Sequence, residues 1–287
     1  MLRCTYIILI YNNISNISSL VGSLKNIEGS LRKEFIFIDD GSSDGSLSLL
    51  KECTKDLPRT TIITQQTQGS SISINKALSL ATGDYIHFVE GEEVLRPGST
   101  SLLIDLSLKF DTQVAIGSLS SQIMSKEESS KRKLIEQPMK EILSNKKSIA
   151  SGVGKSGSLV HKNLIDKVNK SDSSVYTHYM SLSLRCAQYS KFIHTMTDVS
   201  YMPEGRRHDC DKFTSYNNLR AIYNFAQDNQ DLFVNLTSEL LSYLVSEVST
   251  PRDKINYSIK SIFSKYIKGV SLDTVLKLDK QELDRLF

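Results

Sequence analysis

The feature that most constrains this chain is an alternation of two hydrophobic periods over its first 120 residues. Tyr6-Ile-Ile-Leu-Ile10 is a continuous apolar run, as a strand buried on both faces requires, and Ile14, Ile17, Leu20, Val21 and Leu24 follow at helical spacing. Phe35-Ile-Phe-Ile38 predicts a second strand, and a helix from near Asp44 carries Leu47, Leu50 and Cys53 on one side. Thr60 to Thr64 predicts a third strand, followed by a helix with Ile72, Ala77, Leu78 and Ala81 inward that Gly83 terminates. Tyr85 to Val89 predicts a fourth strand, and Pro97 opens a helix with Leu102, Leu103, Leu106 and Phe110 inward. Strands that alternate with helices through short connections predict an α/β fold with a mostly parallel sheet covered on both faces.

The rest of the chain is less regular. Lys126 to Lys147 is charged and mostly basic, expected to be helical in part and interrupted at Pro138; a small-residue stretch then leads into a strand at Leu159-Val160. From Phe213 onward the pattern is helical. With 287 residues the chain has room for one large domain and an appendage. The 39% of hydrophobic residues excludes wholesale disorder, and 14 Gly and 5 Pro exclude a collagen-like chain. A formal charge of +3 is too mild to mark a nucleic-acid binder, and no nucleic-acid partner is expected. Cys4, Cys53, Cys186 and Cys210 form no CxxC pair, so neither a zinc knuckle nor a disulfide framework is expected. No apolar run is long enough to cross a bilayer, and the expected location is the cytoplasm.

In an open α/β sheet, ligands bind beyond the carboxyl ends of the strands, where the loops converge. Three such ends are chemically suited to one ligand: Tyr11-Asn12 after the first strand, Asp39-Asp40-Gly41-Ser42-Ser43-Asp44 after the second, and Glu90-Gly91-Glu92-Glu93 after the fourth. An aromatic platform and two acidic groups suit a nucleobase, a ribose and a diphosphate. Oxygen ligands favour Mg²⁺ or Mn²⁺, which would screen phosphate charge. Two other motifs fare poorly. Gly152-Val-Gly-Lys-Ser156 lacks the first glycine of a phosphate loop, with Ile149 in its place, and the turn after the first strand has no glycine for a dinucleotide.

These residues, in this order and spacing, resemble the family 2 glycosyltransferases of the GT-A fold. The strand running into Tyr11-Asn12, the Phe35 to Asp44 segment and Ala81-Thr-Gly-Asp-Tyr-Ile leading to Glu90-Gly-Glu-Glu93 carry the resemblance. It implies a nucleotide-binding set of Tyr11, Asp39, Asp40, Gly41 and Glu90, in which Tyr11 and Asp40 contact the nucleobase and Gly41 and Ser42 shape the turn. It also implies Glu90 on the ribose and Glu92 on the metal, where the family uses Asp at both positions. The implied donor is a nucleotide sugar, most often a uridine diphosphate sugar. The implied acceptor is a saccharide or a lipid-linked acceptor in envelope or surface polysaccharide synthesis.

The resemblance extends to about residue 210. Gly157 to Lys167 is similar to the acceptor-side strand and helix, Ser181 to Arg185 to the helix after the catalytic Glu-Asp pair, and Arg206-Arg-His208-Asp to an element that approaches the diphosphate or metal. At the Glu-Asp position this chain has His178-Tyr179, so His178 is the expected general base of an inverting transfer. Other departures are Ile74-Asn75 in place of Arg-Asn and Leu9 in place of Pro. Such departures also fit a second expectation, a GT-A scaffold that binds a nucleotide as a regulatory or interaction module without transfer.

The expected organisation is a nucleotide-sugar half over 1–125, an acceptor half over 126–210 and a helical extension over 211–287. Within the extension, residues 252–268 form a basic amphipathic segment suited to peripheral contact with an anionic membrane.

Overall fold

The computed structural model describes residues 1–67, 70–120, 134–137, 152–171 and 179–202. The elements in chain order are β1 (Arg3–Ile10), α1 (Ile17–Lys25), β2 (Arg32–Asp39), α2 (Ser46–Cys53), β3 (Thr60–Thr64), α3 (Ser70–Leu80), β4 (Tyr85–Glu90), β5 (Val94–Leu95), α4 (Ser99–Lys109) and β6 (Val114–Ser120). There follow β7 (Leu134–Gln137), β8 (Ser158–His161), α5 (Lys162–Ser171), α6 (Tyr179–Tyr189) and β9 (Phe192–Tyr201).

The strands form one sheet in the order β3-β2-β1-β4-β8-β6-β9-β5, with β7 also on β9. The pairs β2–β3, β1–β2 and β1–β4 are parallel, as the helical crossovers between them require. β8 then enters antiparallel between β4 and β6, β9 lies parallel to β6, and β5 and β7 each run antiparallel to β9. The strands β1 to β4, β6 and β9 therefore share one direction. The sheet is a parallel half extended by a mixed half.

The apolar strand runs are buried on both faces because helices cover both. Tyr6, Ile8 and Ile10 of β1, with Phe35 and Phe37 of β2, face α1, α2 and α4. The alternate residues Ile7, Ile36 and Ile38 face the other way, into a core completed by Ile74, Ala77 and Leu78 of α3, Leu164, Ile165 and Val168 of α5, and Leu182 and Cys186 of α6. On α1, Ile17, Leu20, Val21 and Leu24 are all buried, the i, i+3, i+4, i+7 stripe that fixes this helix on the sheet. Each such side chain stabilises the fold by roughly 1.5–3 kcal/mol.

Several expectations are corrected in detail. The first helix begins at Ile17, and Ile14 is left exposed because Asn13 and Asp44 hold its segment as a turn. Ile72 of α3 is exposed. Leu134–Gln137, expected within a partly helical stretch, pairs with β9 as a strand, and β6 and β9 had no clear signal in the sequence. The phosphate-loop reading of Gly152 to Ser156 is excluded in its context, since the segment runs into strand β8 instead of opening a helix. Among the described residues Cys4, Cys53 and Cys186 are free thiols, and no helix is long and apolar enough to cross a membrane. His178, His208, the 252–268 segment and the whole 211–287 extension lie outside the described residues.

Candidate functional site

The parallel register sets the site. Ile10 at the end of β1 pairs with Asp39 at the end of β2, and Leu9 pairs with Glu90 at the end of β4. The three polar strand ends singled out in the sequence therefore emerge side by side along one edge of the parallel half. Tyr11 leaves β1 as an exposed residue, 53% accessible to solvent, at that edge.

A set of hydrogen bonds ties the first two strand ends. Asn12, with φ of +49°, donates its backbone N–H to Ser42 Oγ at 3.0 Å and accepts the Ser43 N–H on Oδ1 at 2.9 Å. The Asn13 N–H donates to Ser46 Oγ at 2.8 Å, and that hydroxyl donates to Asp44 Oδ1 at 2.5 Å. Asp44 also accepts the N–H groups of Ile14 at 3.0 Å and Ser46 at 2.9 Å. Burial raises the Asp44 carboxyl pKa, but these donors outweigh it and hold the group below its ordinary value. Gly41 has a φ of +82°, and a Cβ there would stand 2.8 Å from Thr67 Oγ1 and 3.0 Å from the Thr67 N, so this turn requires glycine.

The two aspartates at the end of β2, Asp39 in the strand and Asp40 just beyond it, have different surroundings. Asp39 is only 1% exposed; its Oδ2 accepts the Thr64 hydroxyl at 3.0 Å and its Oδ1 is buried without a hydrogen-bond partner among the described residues. Asp40 turns outward from a backbone fixed by its N–H to the Ile10 carbonyl at 2.9 Å and by Thr67 Oγ1 donating to its own carbonyl at 2.9 Å. Its Oδ1 accepts Gln65 Nε2 at 2.8 Å.

The third strand end is acidic. The Glu93 N–H returns to the Glu90 carbonyl at 3.1 Å and closes a turn over Gly91 and Glu92. A Cβ on Gly91 would lie 2.5 Å from Asn13 Oδ1 and 2.8 Å from the Leu9 carbonyl, so only glycine lets this loop lie against the end of β1. Asn13 Nδ2 donates to Glu92 Oε1 at 3.4 Å. Glu93 is fully buried with neither carboxyl oxygen hydrogen-bonded among the described residues. Burial first, and the charge of Glu90 next, push its pKa well above its ordinary value.

No three His, Cys, Asp or Glu side chains converge into a metal cage among the described residues. The donor set fits a hard cation bound the other way, by one or two carboxylates with substrate phosphates supplying the remaining oxygens. At this strand end Glu92, which accepts from Asn13, and Glu90 are the carboxylates that would supply such oxygens.

Tyr11, Asp40, Gly41, Glu90 and Glu92 thus fall along one edge, and Asp39 sits beneath it. Sequence reasoning passed over Asn13 and Gln65, the two amides that hold the carboxylates. The signal for Gln65 was present: it is the residue just past β3, a fourth parallel strand end that went unread because it carries no carboxylate.

Comparison with known proteins agrees with this architecture. TarS 1-349 of S. aureus, solved in complex with UDP-GlcNAc, superposes with a TM-score of 0.67 at 12% sequence identity, covering 99% of this chain and 83% of that one. YibD of Escherichia coli K12, described as an uncharacterized glycosyltransferase, is 32% identical over 82 residues, 29% of this chain and 24% of that protein. A cholesterol galactosyltransferase of Borreliella burgdorferi is 31% identical over 91 residues, 32% of this chain and 25% of that protein. The chain spans about a quarter of the length of these curated relatives. The fold is GT-A. The family model for glycosyl transferase family 2 matches residues 5–168, more than half of the chain, and the chain belongs to that family.

Proposed function

We propose that the protein transfers a sugar from a nucleotide-sugar donor, a uridine diphosphate sugar, to a saccharide or lipid-linked acceptor in envelope or surface polysaccharide synthesis. The observation that carries this reading is the juxtaposition of Tyr11, Asp40, Glu90 and Glu92 at adjoining parallel strand ends. The UDP-GlcNAc complex of TarS, a protein of the same fold, supports the donor class.

In this reading the exposed Tyr11 ring stacks on the base, and Asp40 accepts an N–H of a pyrimidine. Glu90 accepts from the ribose hydroxyls. Asp39, 1% exposed and hydrogen-bonded by Thr64, supports the nucleotide-binding strand end from beneath. Glu92, with Glu90 at its side, would hold Mg²⁺ or Mn²⁺. A bound cation there would neutralise charge gathering on the leaving diphosphate. His178 is proposed as the base that takes the acceptor hydroxyl's proton as its oxygen attacks the anomeric carbon from the face opposite the diphosphate, with inversion. His208 is proposed on the diphosphate side, and residues 252–268 as a peripheral contact with an anionic membrane that carries the acceptor.

The test is release of uridine diphosphate from UDP-GlcNAc and related donors in Mn²⁺. Glu92→Ala is expected to lower turnover by about a hundredfold or more, the scale seen when one charge-stabilising group is removed. His178→Ala is expected to lower transfer while leaving donor binding intact. Binding of nucleotide by a folded chain that turns over no donor, with or without acceptor saccharides, would instead favour the module without transfer.

A further inference from the structure

The four consecutive backbone N–H groups of residues 11–14, where the chain leaves β1, each donate to a side-chain oxygen. The Tyr11 N–H goes to Asn13 Oδ1 at 2.8 Å and the Asn12 N–H to Ser42 Oγ at 3.0 Å. The Asn13 N–H goes to Ser46 Oγ at 2.8 Å and the Ile14 N–H to Asp44 Oδ2 at 3.0 Å. Three of the four acceptors therefore stand between the end of β2 and the first turn of α2. One bond runs the other way, from the Ser43 N–H to Asn12 Oδ1 at 2.9 Å. Asp44 Oδ1 also accepts the N–H and the hydroxyl of the fully buried Ser46, so the oxygen that receives Asn13 is itself aimed. The turn needs such support. Asn12 has a φ of +49°, a left-handed conformation that costs a residue with a Cβ and persists where its surroundings over-determine it. Tyr11 directly precedes it and is exposed, so core packing alone does not set its direction.

We propose that Ser42, Asp44 and Ser46 are positioning residues for the base platform: they hold the turn after β1 in the one conformation that presents Tyr11 to a nucleobase. This rests on the nucleotide-sugar reading above, in which the Tyr11 ring stacks on the base. The three residues act through Tyr11 and touch no substrate themselves. A platform fixed in advance has little freedom left to lose when the nucleotide binds, and affinity is kept by that saving. The same segment opens with Asp40, whose N–H is bonded to the Ile10 carbonyl at 2.9 Å. The ring that meets the face of the base and the carboxylate that meets its edge are thus carried on one hydrogen-bonded unit.

The test is calorimetric titration of the full chain with UDP in Mn²⁺, run as a double-mutant cycle between Asp44→Ala and Tyr11→Leu. Asp44→Ala is expected to weaken UDP by about tenfold when Tyr11 is present, because slight misplacement of a positioned group is costly. In the Tyr11→Leu background, with no ring left to aim, the same change is expected to cost about threefold or less. Ser42→Ala is expected to give a smaller loss that also depends on Tyr11, and Ser42→Thr, which keeps the hydroxyl, to restore wild-type affinity. A merely structural role would lower the Tm but weaken UDP by the same factor in both backgrounds. Equal factors in the two backgrounds, or a folded Asp44→Ala with unchanged UDP affinity, overturn the positioning role alone. Should Asp44→Ala not fold, the Ser42 pair decides: Ser42→Ala binding UDP as tightly as the wild type, or Ser42→Thr failing to restore a loss, overturns it equally. Equal UDP affinity in the wild type and Tyr11→Leu, or no binding by folded wild type, overturns the parent reading and this inference with it.

Discussion

Asn13, 6% exposed at the end of β1, donates its side-chain amide to Glu92 Oε1 at 3.4 Å while its carbonyl accepts the Tyr11 N–H at 2.8 Å. One buried amide therefore couples the aromatic strand end to the acidic one, and neither of its neighbours is positioned independently of the other. Asn13→Ala is expected to lower donor turnover by about tenfold to a hundredfold, since slight misplacement of a positioned group is costly. It is also expected to lower stability by about 1–3 kcal/mol through the lost hydrogen bonds, measured by urea denaturation beside steady-state kinetics.

The Gly91 backbone packs against that same amide. Gly91→Ala places a methyl 2.5 Å from Asn13 Oδ1 and 2.8 Å from the Leu9 carbonyl, and the second of these is main chain that cannot swing away. The expected cost is about 1–3 kcal/mol of stability, as for other overpacked sites, with nucleotide binding weakened in parallel. A Tm and a UDP titration on the same sample check both.

His87 gives the fold an acid-sensitive core. Its ring is fully buried on β4, with Nδ1 hydrogen-bonded to Thr100 Oγ1 at 3.0 Å and Nε2 unpaired among the described residues, and burial lowers its pKa to about 4. Between its ordinary value of 6.5 and about 4 the unfolded chain takes up a proton that the folded chain refuses. Stability from this group is therefore complete above about pH 6.5 and is lost as pH falls toward 4, by up to ~3 kcal/mol. His194, also lowered to about 4 by burial, contributes in the same window and direction. Replacement by glutamine (His87→Gln) is expected to flatten the fall in Tm between pH 7 and pH 4 without abolishing it.

The parallel half of the fold was legible because burial on both faces forces continuous apolar runs such as Tyr6 to Ile10, and because acidic or aromatic residues follow them abruptly. The mixed half was harder to read. β9 carries Thr195, Asp198 and Ser200 as buried polar residues, so its hydrophobic pattern is broken where neighbouring strands and loops satisfy or enclose it. β7 is only four residues long and sits in a basic stretch with no strand signature. At the site, the residue types expected to touch ligand were visible as carboxylates and an exposed tyrosine. The groups that hold them, Asn13 and Gln65, were not, because an amide acts through a partner brought close only by the register of β1 with β4 and of β2 with β3. Likewise no sequence pattern separates Asp39 from Asp40. Asp39 is the last residue of β2 and is buried, whereas Asp40 begins the turn beyond it, fixed by Ile10 and Thr67.

The central claim, a nucleotide held at the adjoining ends of β1, β2 and β4, is tested most directly by titrating UDP with Mn²⁺ into the wild type and into Asp40→Ala. The account predicts saturable binding by the wild type and a loss of about tenfold or more in the variant, at unchanged Tm. Equal affinity for the two proteins, or no binding by folded wild type, would contradict it.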